Sequence, residues 1–101
     1  MTEFMPEPEL DPKVRIIIQA REASAITWGD YATISGVSRE TLYRWTKYLK
    51  PKDKLRLNIA YTLAVRLNRA VAEGLLPIEQ KLKPKERRTY LRKIVAQMAS
   101  K

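Results

Sequence analysis

The chain has 101 residues, with 20 Lys and Arg against 11 Asp and Glu, which gives a formal net charge of +9 at pH 7. A chain of this length forms one small domain, and the absence of cysteine and histidine excludes disulfides, thiolate chemistry, the usual zinc sites and the commonest general base. Because it also has no glycine-rich phosphate loop and no carboxylates at metal-ligand spacing, we expect no enzyme, no bound metal and no cofactor.

Charge is unevenly distributed along the chain. The first eleven residues hold two prolines and four acids but no basic residue, which predicts a mobile acidic arm over residues 1–11, a solvated tail in preference to a regulatory element. From Pro12 onward there are 20 basic and seven acidic residues, a net charge of +13. This excess favours a polyanionic partner, because each neutralised phosphate releases condensed counterions. Neither a long apolar run nor a signal-peptide pattern is seen, so we expect a cytoplasmic protein of a bacterial or phage-infected cell.

A first helix is predicted over residues 12–24. Asp11 suits the N-cap and Pro12 the first turn, where the missing proline N–H would have no helical partner anyway. Val14 and Ile17 follow at helical spacing. We expect their apolar face to cover the next two helices, which are too short to bury enough surface alone.

The most informative segment, residues 27–47, has the pattern of a helix-turn-helix. A short helix opens at Thr27 and closes at Gly36, and a second helix opens at Ser38. Ala32 supplies the small residue needed where two helices cross at roughly 90–120° through a tight turn, and Gly36 accepts a positive φ without a Cβ clash. An ordinary helical corner is the alternative, but the positive charge of the chain favours DNA binding.

Capping chemistry supports these helix boundaries. Thr27 and Asp30 are spaced as a capping box, with Asp in place of the usual Glu or Gln, and Ser38 is a good N-cap for the second helix. Val37 and Leu42 are the predicted apolar contacts that hold the second helix against the first.

The second helix is predicted over residues 38–50, because Pro51 disfavours helical backbone in the residue before it. Its apolar stripe of Leu42, Trp45 and Leu49 is interpreted as core. In a helix-turn-helix protein the N-terminal part of this helix meets base edges in the major groove, and its flanks meet phosphates. The base-edge candidates are Arg39, Glu40, Thr41 and Arg44, and the phosphate candidates are Thr27, Ser38, Tyr43, Lys47, Lys50, Lys52 and Lys54.

These individual assignments leave alternatives open. Arg39 can donate two hydrogen bonds to guanine, but phosphate contact is also compatible with its position. Glu40 can accept from a cytosine amino group, or it can simply stabilise the positive end of the helix. A run of lysines usually forms a solvated face. We nevertheless expect at least Lys52 or Lys54 to touch phosphate, because the next helix starts there and its positive end adds to the attraction.

Two further helices complete an all-α pattern of about five helices, with a three-helix core around the motif. A long pattern over residues 52–73 ends at Gly74, and Pro84 suits the first turn of a last helix. The apolar arc of the long helix is wider than the roughly 100° of a surface helix, which predicts a second partner. We therefore divide the chain into a DNA-binding domain, 12–74, and a basic C-terminal packing or dimerisation element, 75–101. The predicted homodimer contacts are Leu63, Leu67, Leu91, Ile94, Val95 and Met98.

The segment from Gly36 to Trp45, Gly-Val-Ser-Arg-Glu-Thr-Leu-Tyr-Arg-Trp, resembles the recognition region of tetracycline-repressor-type regulators. There the pattern is Gly-Val-Ser-x-x-Thr-Leu-Tyr-x-aromatic, followed by a Lys-rich helix start. The resemblance covers residues 27–56, and it is not accompanied by that family's ligand-binding domain. The stretch from Trp45 to Pro51 is also about one helical turn longer than the corresponding stretch in that family. The resemblance implies DNA contacts from Arg39, Thr41, Tyr43 and Arg44, with Lys52 or Lys54 on the backbone.

The sequence therefore predicts a sequence-specific double-stranded DNA-binding protein, a small transcriptional regulator of the phage or plasmid repressor type. One alternative is a DNA-recognition subunit of a transposition or DNA-packaging complex. Another is a basic helical adaptor that binds protein, which predicts no salt-sensitive retention on DNA.

Overall fold

Five helices make up the fold in the computed structural model, which describes residues 10–47 and 50–100. They are α1 (Pro12–Ser24), α2 (Trp28–Ser35), α3 (Arg39–Thr46), α4 (Lys54–Ala72) and α5 (Pro84–Ala99). The predicted all-α fold of about five helices is confirmed. The proposed acidic arm falls almost wholly on residues 1–9, outside the described residues. None of the described helices is long and apolar enough to cross a membrane.

Local capping chemistry sets where the helices begin. The Asp11 carboxylate accepts a hydrogen bond of 2.8 Å from the backbone N–H of Lys13, and Pro12 occupies the first turn of α1, as predicted. Asp53 does the same for α4 by accepting from the N–H of Arg56 at 3.1 Å. These side chains satisfy backbone donors that the first turn of a helix leaves without partners.

The long helix α4 is the centre of the core. It packs against both α1 and α5, and it buries six side chains between them: Leu57, Ala60, Leu63, Ala64, Leu67 and Ala70. The wide apolar arc of this helix had predicted a second partner, which the structure identifies as α5 of the same chain.

This packing corrects the predicted dimer contacts. Five of the six residues lie inside the monomer with at most 4 % of their surface exposed, namely Leu63, Leu67, Leu91, Ile94 and Met98. Val95 is half-buried and packs against the same core. The helical spacing correctly identified apolar faces, but α4 and α5 cover each other's faces, so the five buried side chains are not available to a second copy.

Polar contacts tie the first motif helix to the rest of the core. Tyr31 of α2 is fully buried, and its hydroxyl donates to the backbone carbonyl of Ala60 in α4. Burial raises the pKa of this hydroxyl above its ordinary value. The Arg21 guanidinium of α1 lies 4.8 Å from the ring centre of Trp28, a cation–π contact at the start of α2. The orientation of α2 is therefore fixed from two sides.

Candidate nucleic-acid interface

Helices α2 and α3 form the predicted helix-turn-helix. Three residues, 36–38, join them. Gly36 has a φ of 79°, in the left-handed region that residues with a side chain rarely adopt. The Gly36 N–H donates to the carbonyl of Ala32 at 2.9 Å and closes α2. Val37 and Leu42 are each 1 % exposed, so both act as the predicted apolar contacts between α3 and the core.

The caps of the two motif helices are those expected from the sequence. Thr27 Oγ1 accepts from the N–H of Asp30 at 3.0 Å, while Asp30 Oδ2 accepts from the N–H of Thr27 at 3.2 Å, which completes the capping box. Ser38 Oγ accepts from the N–H of Thr41 at 3.1 Å. Both helices therefore begin at defined residues, and the first turn of α3 lies at the protein surface.

Helix α3 divides into a buried face and a charged exposed face. Leu42 and Trp45 are buried in the core. The opposite face exposes a set of polar and basic side chains: Arg39, Glu40, Tyr43, Arg44 and Lys47. A helix that is anchored on one side and basic on the other has the form needed to enter a major groove.

The end of α3 differs from the prediction of a helix reaching residue 50. The last helical residue is Thr46, whose hydroxyl donates to the carbonyl of Tyr43 at 2.6 Å. In a continuing helix that carbonyl would accept from the N–H of Lys47, which instead donates to the Arg44 carbonyl at 3.0 Å. The threonine side chain thus helps to end the helix before Pro51 can. The predicted core residue Leu49 lies outside the described residues.

Several of the exposed side chains on α3 already have partners. Arg44 donates to Glu40 at 2.9 Å, an exposed ion pair one turn apart. The Lys47 ammonium lies 4.9 Å from the centre of the Tyr43 ring. Among the residues that the structure describes, Arg39 has neither an ion pair nor a hydrogen bond of its side chain. Arg39 therefore keeps its full set of donors for a ligand.

The remaining α3 candidate, Thr41, is half-buried, and its Oγ1 accepts a hydrogen bond of 2.8 Å from the Ser38 hydroxyl. This contact makes Thr41 a part of the cap as well as a candidate for base contact.

A second basic surface lies at the start of α4. Lys50, Lys52 and Lys54 are all exposed, as the phosphate assignment requires. Asp53, which interrupts them in sequence, caps α4 and lies 3.5 Å from the Arg56 guanidinium. Its negative charge is therefore partly balanced by Arg56, and the three lysines stay available at the positive end of the helix.

The structure adds a buried ion cluster that the sequence analysis missed. Asp30 is fully buried and accepts from Arg87 at 2.7 and 3.0 Å and from Arg88 at 3.0 Å. Burial alone would raise the pKa of Asp30, but hydrogen bonds from Arg87, the Thr27 backbone and Arg88 hold that pKa below its ordinary value. The same contact raises the pKa of Arg87. Asp30 and Arg87 are 57 residues apart, so no short-range sequence pattern predicts their contact.

Helix α5 thereby reaches the helix-turn-helix. A groove of about 720 Å³ runs between the start of α2, the exposed side of α3 and Arg88. It is lined by Thr27, Trp28, Gly29, Arg39, Glu40, Tyr43 and Arg88. The groove brings four of the predicted DNA-contact residues, Thr27, Arg39, Glu40 and Tyr43, beside an arginine from the C-terminal helix.

The candidate interface is defined by its geometry and its positive charge, and the function of the protein is inferred from both. The main parts of the interface are the exposed face of α3, the lysines at the start of α4 and the groove at Arg88. The chain matches no protein-family model, no curated protein and no solved structure.

Proposed function

We propose that the protein binds double-stranded DNA in a sequence-specific manner and acts as a small transcriptional regulator, a repressor of the phage or plasmid type. The observation that carries this proposal is the two-faced α3: Leu42 and Trp45 are buried, while Arg39 and Arg44 project from a helix that follows a tight turn at Gly36. This is the arrangement by which a helix-turn-helix reads base edges. Action on duplex DNA would place the protein in the cytoplasm.

The distribution of charge supports the same proposal. Exposed basic residues continue from α3 through Lys47, Lys50, Lys52 and Lys54. Phosphate contacts of this kind fix the register of a protein on the duplex, while residues at the start of the recognition helix supply sequence preference. In our proposal Arg39 contacts a base edge and the lysines contact the backbone.

The proposed active form is a homodimer. One helix-turn-helix contacts few base pairs, and a two-fold dimer doubles the contacts over half-sites about 34–36 Å apart. Five of the six dimer contacts predicted from the sequence are buried in the monomer, so we propose that the exposed apolar residues of α4 form the contact instead. Leu55 and Ile59 are 70 % and 42 % exposed, and they lie one helical turn apart.

Selection of bound sequences from a random duplex library tests the function directly. We expect enrichment of a palindromic site, and affinity for that site should fall steeply as salt concentration rises. Enrichment of a site without regulation of an adjacent promoter in a reporter assay would favour a recognition subunit of a transposition or packaging complex. A binding constant that does not change with salt would contradict DNA binding and favour a protein-binding adaptor.

A further inference from the structure

The groove between α2, α3 and α5 contains an arginine that the helix-turn-helix alone does not explain. Arg88 comes from the C-terminal helix, yet it lines the same groove as Arg39 and Tyr43 of α3. Its Nη2 atom lies 3.3 Å from the position that a side chain at Gly29 would occupy, so the guanidinium lies against the first turn of α2. The missing side chain at position 29 leaves room for this approach.

The charge of the buried ion cluster is not balanced. One carboxylate, Asp30, faces two guanidinium groups, and Arg87 already occupies both of its oxygens in a bidentate contact. Arg88 donates only through Nε, and no hydrogen bond from its Nη1 or Nη2 to another described residue is present. The cluster therefore keeps one net positive charge, carried towards the groove by Arg88.

Arg88 is also held in place before any ligand arrives. Its side chain is 33 % exposed, while the carboxylate that fixes Nε is fully buried. A long side chain normally loses conformational freedom when it binds, and holding it beforehand reduces that loss. The two free Nη groups present the planar set of donors that matches a phosphate.

We propose that this groove binds one phosphodiester of the DNA backbone at Arg88, so that α5 forms part of the DNA interface. The inference rests on the proposed function and extends it beyond the helix-turn-helix. Thr27 and Gly29 line the same groove at the positive end of α2, which further favours an anion there. Glu40, the acid among the lining residues, is paired with Arg44.

The test compares Arg88→Ala with Arg92→Ala, one turn further along the same exposed helix surface. Arg92 does not line the groove. Arg88→Ala leaves the bidentate contact between Asp30 and Arg87 in place, and a thermal melt checks that it folds. We expect it to weaken binding to the selected site and to random duplex by a similar factor, about three- to tenfold. The slope of log affinity against log salt should fall by about 0.9, and Arg92→Ala should change neither quantity.

A second experiment uses the wild-type protein and does not depend on how a variant folds. Each phosphate of the selected site is replaced in turn by an uncharged methylphosphonate. At one position, the replacement should weaken binding by the wild-type protein but should leave the affinity of Arg88→Ala unchanged. Competition between inorganic phosphate and the DNA, at constant ionic strength, distinguishes a site for the DNA backbone from a site for the free ion. We expect phosphate to displace the DNA no more than chloride does.

The outcomes distinguish this proposal from the proposed function. If the wild-type protein binds DNA with a steep salt dependence but Arg88→Ala behaves like Arg92→Ala, the function stands and the groove is not a phosphate site. Specific competition by inorganic phosphate would also overturn the assignment to the backbone. If the wild-type protein does not bind duplex DNA, the proposed function fails.

Discussion

Asp30 and Arg87 form a bidentate ion pair, with distances of 2.7 and 3.0 Å, between residues that are 57 positions apart. Asp30 lies in the first turn of α2 and caps it, and Arg87 lies in the first turn of α5. A fully buried carboxylate is strongly destabilising without a partner, so the helix-turn-helix depends on the C-terminal helix for its stability. Truncation of α5 would therefore expose apolar surface and also leave the Asp30 carboxylate without its arginine partners.

Arg87→Ala should destabilise the fold by about 3 kcal/mol, because it leaves a buried carboxylate with Arg88 as its remaining charged partner. Urea unfolding followed by circular dichroism measures this loss. Arg92→Ala is the matched control, since an exposed substitution on the same helix should change the unfolding free energy by less than about 0.5 kcal/mol. Equal effects of the two substitutions would show that the ion pair adds nothing.

Stability should fall as the pH drops below about 4, because of the same carboxylate. Its pKa is lowered in the folded protein, so the stabilisation is fully present above the unfolded-state pKa of about 3.9 and is lost as pH falls through the folded-state value. Unfolding free energies measured between pH 6 and pH 2.5 should show this loss in the wild-type protein. Asp30→Asn should be less stable at pH 6 and lose less on acidification. Parallel pH profiles would exclude Asp30 as the cause.

Arg39→Ala should cost about 1–3 kcal/mol on the selected site and relax preference at one base pair. Binding of the variant to the selected duplex and to single-base variants of that duplex measures both effects. The control is Arg44→Ala, which removes an arginine that already pairs with Glu40 and should cost less. Equal loss on selected and random DNA would reassign Arg39 to the backbone.

Neutralising Lys52 and Lys54 together, by substitution to Gln, should weaken binding to every duplex by a similar factor. Two lost phosphate contacts should reduce the salt slope by about 1.8. The measurement is affinity between about 50 and 200 mM salt. Lys93→Gln serves as a control on the exposed side of α5. A change confined to the selected site would contradict the assignment to phosphate.

Ile59→Glu should split the proposed dimer without unfolding the chain, because Ile59 is 42 % exposed in the monomer. Ile94→Glu should instead unfold the chain, since Ile94 is 4 % exposed and a charge there has no partner. Sedimentation at micromolar concentration, alone and on a single half-site, measures the first effect, and circular dichroism measures the second. A wild-type chain that stays an 11.7 kDa monomer on DNA would contradict the dimer.

The sequence was sufficient wherever a feature depends on residues within one turn of each other. The caps at Asp11, Thr27 and Ser38 and the positive φ of Gly36 all follow from contacts across two to four positions. Helical spacing also identified the apolar face of α3, because a period of 3.6 residues places Leu42 and Trp45 on one side. These local rules define the helix-turn-helix before any packing is known.

Only the tertiary structure decided which faces meet. An apolar arc specifies that a helix needs a partner but not which one. In this fold α5 covers α4 within the same chain, which buries five of the six residues predicted to form a dimer. Residue spacing also carries no information about the approach of Arg87 and Arg88 to Asp30. That contact depends on how α5 lies against α2, and burial is what makes the pairing matter energetically.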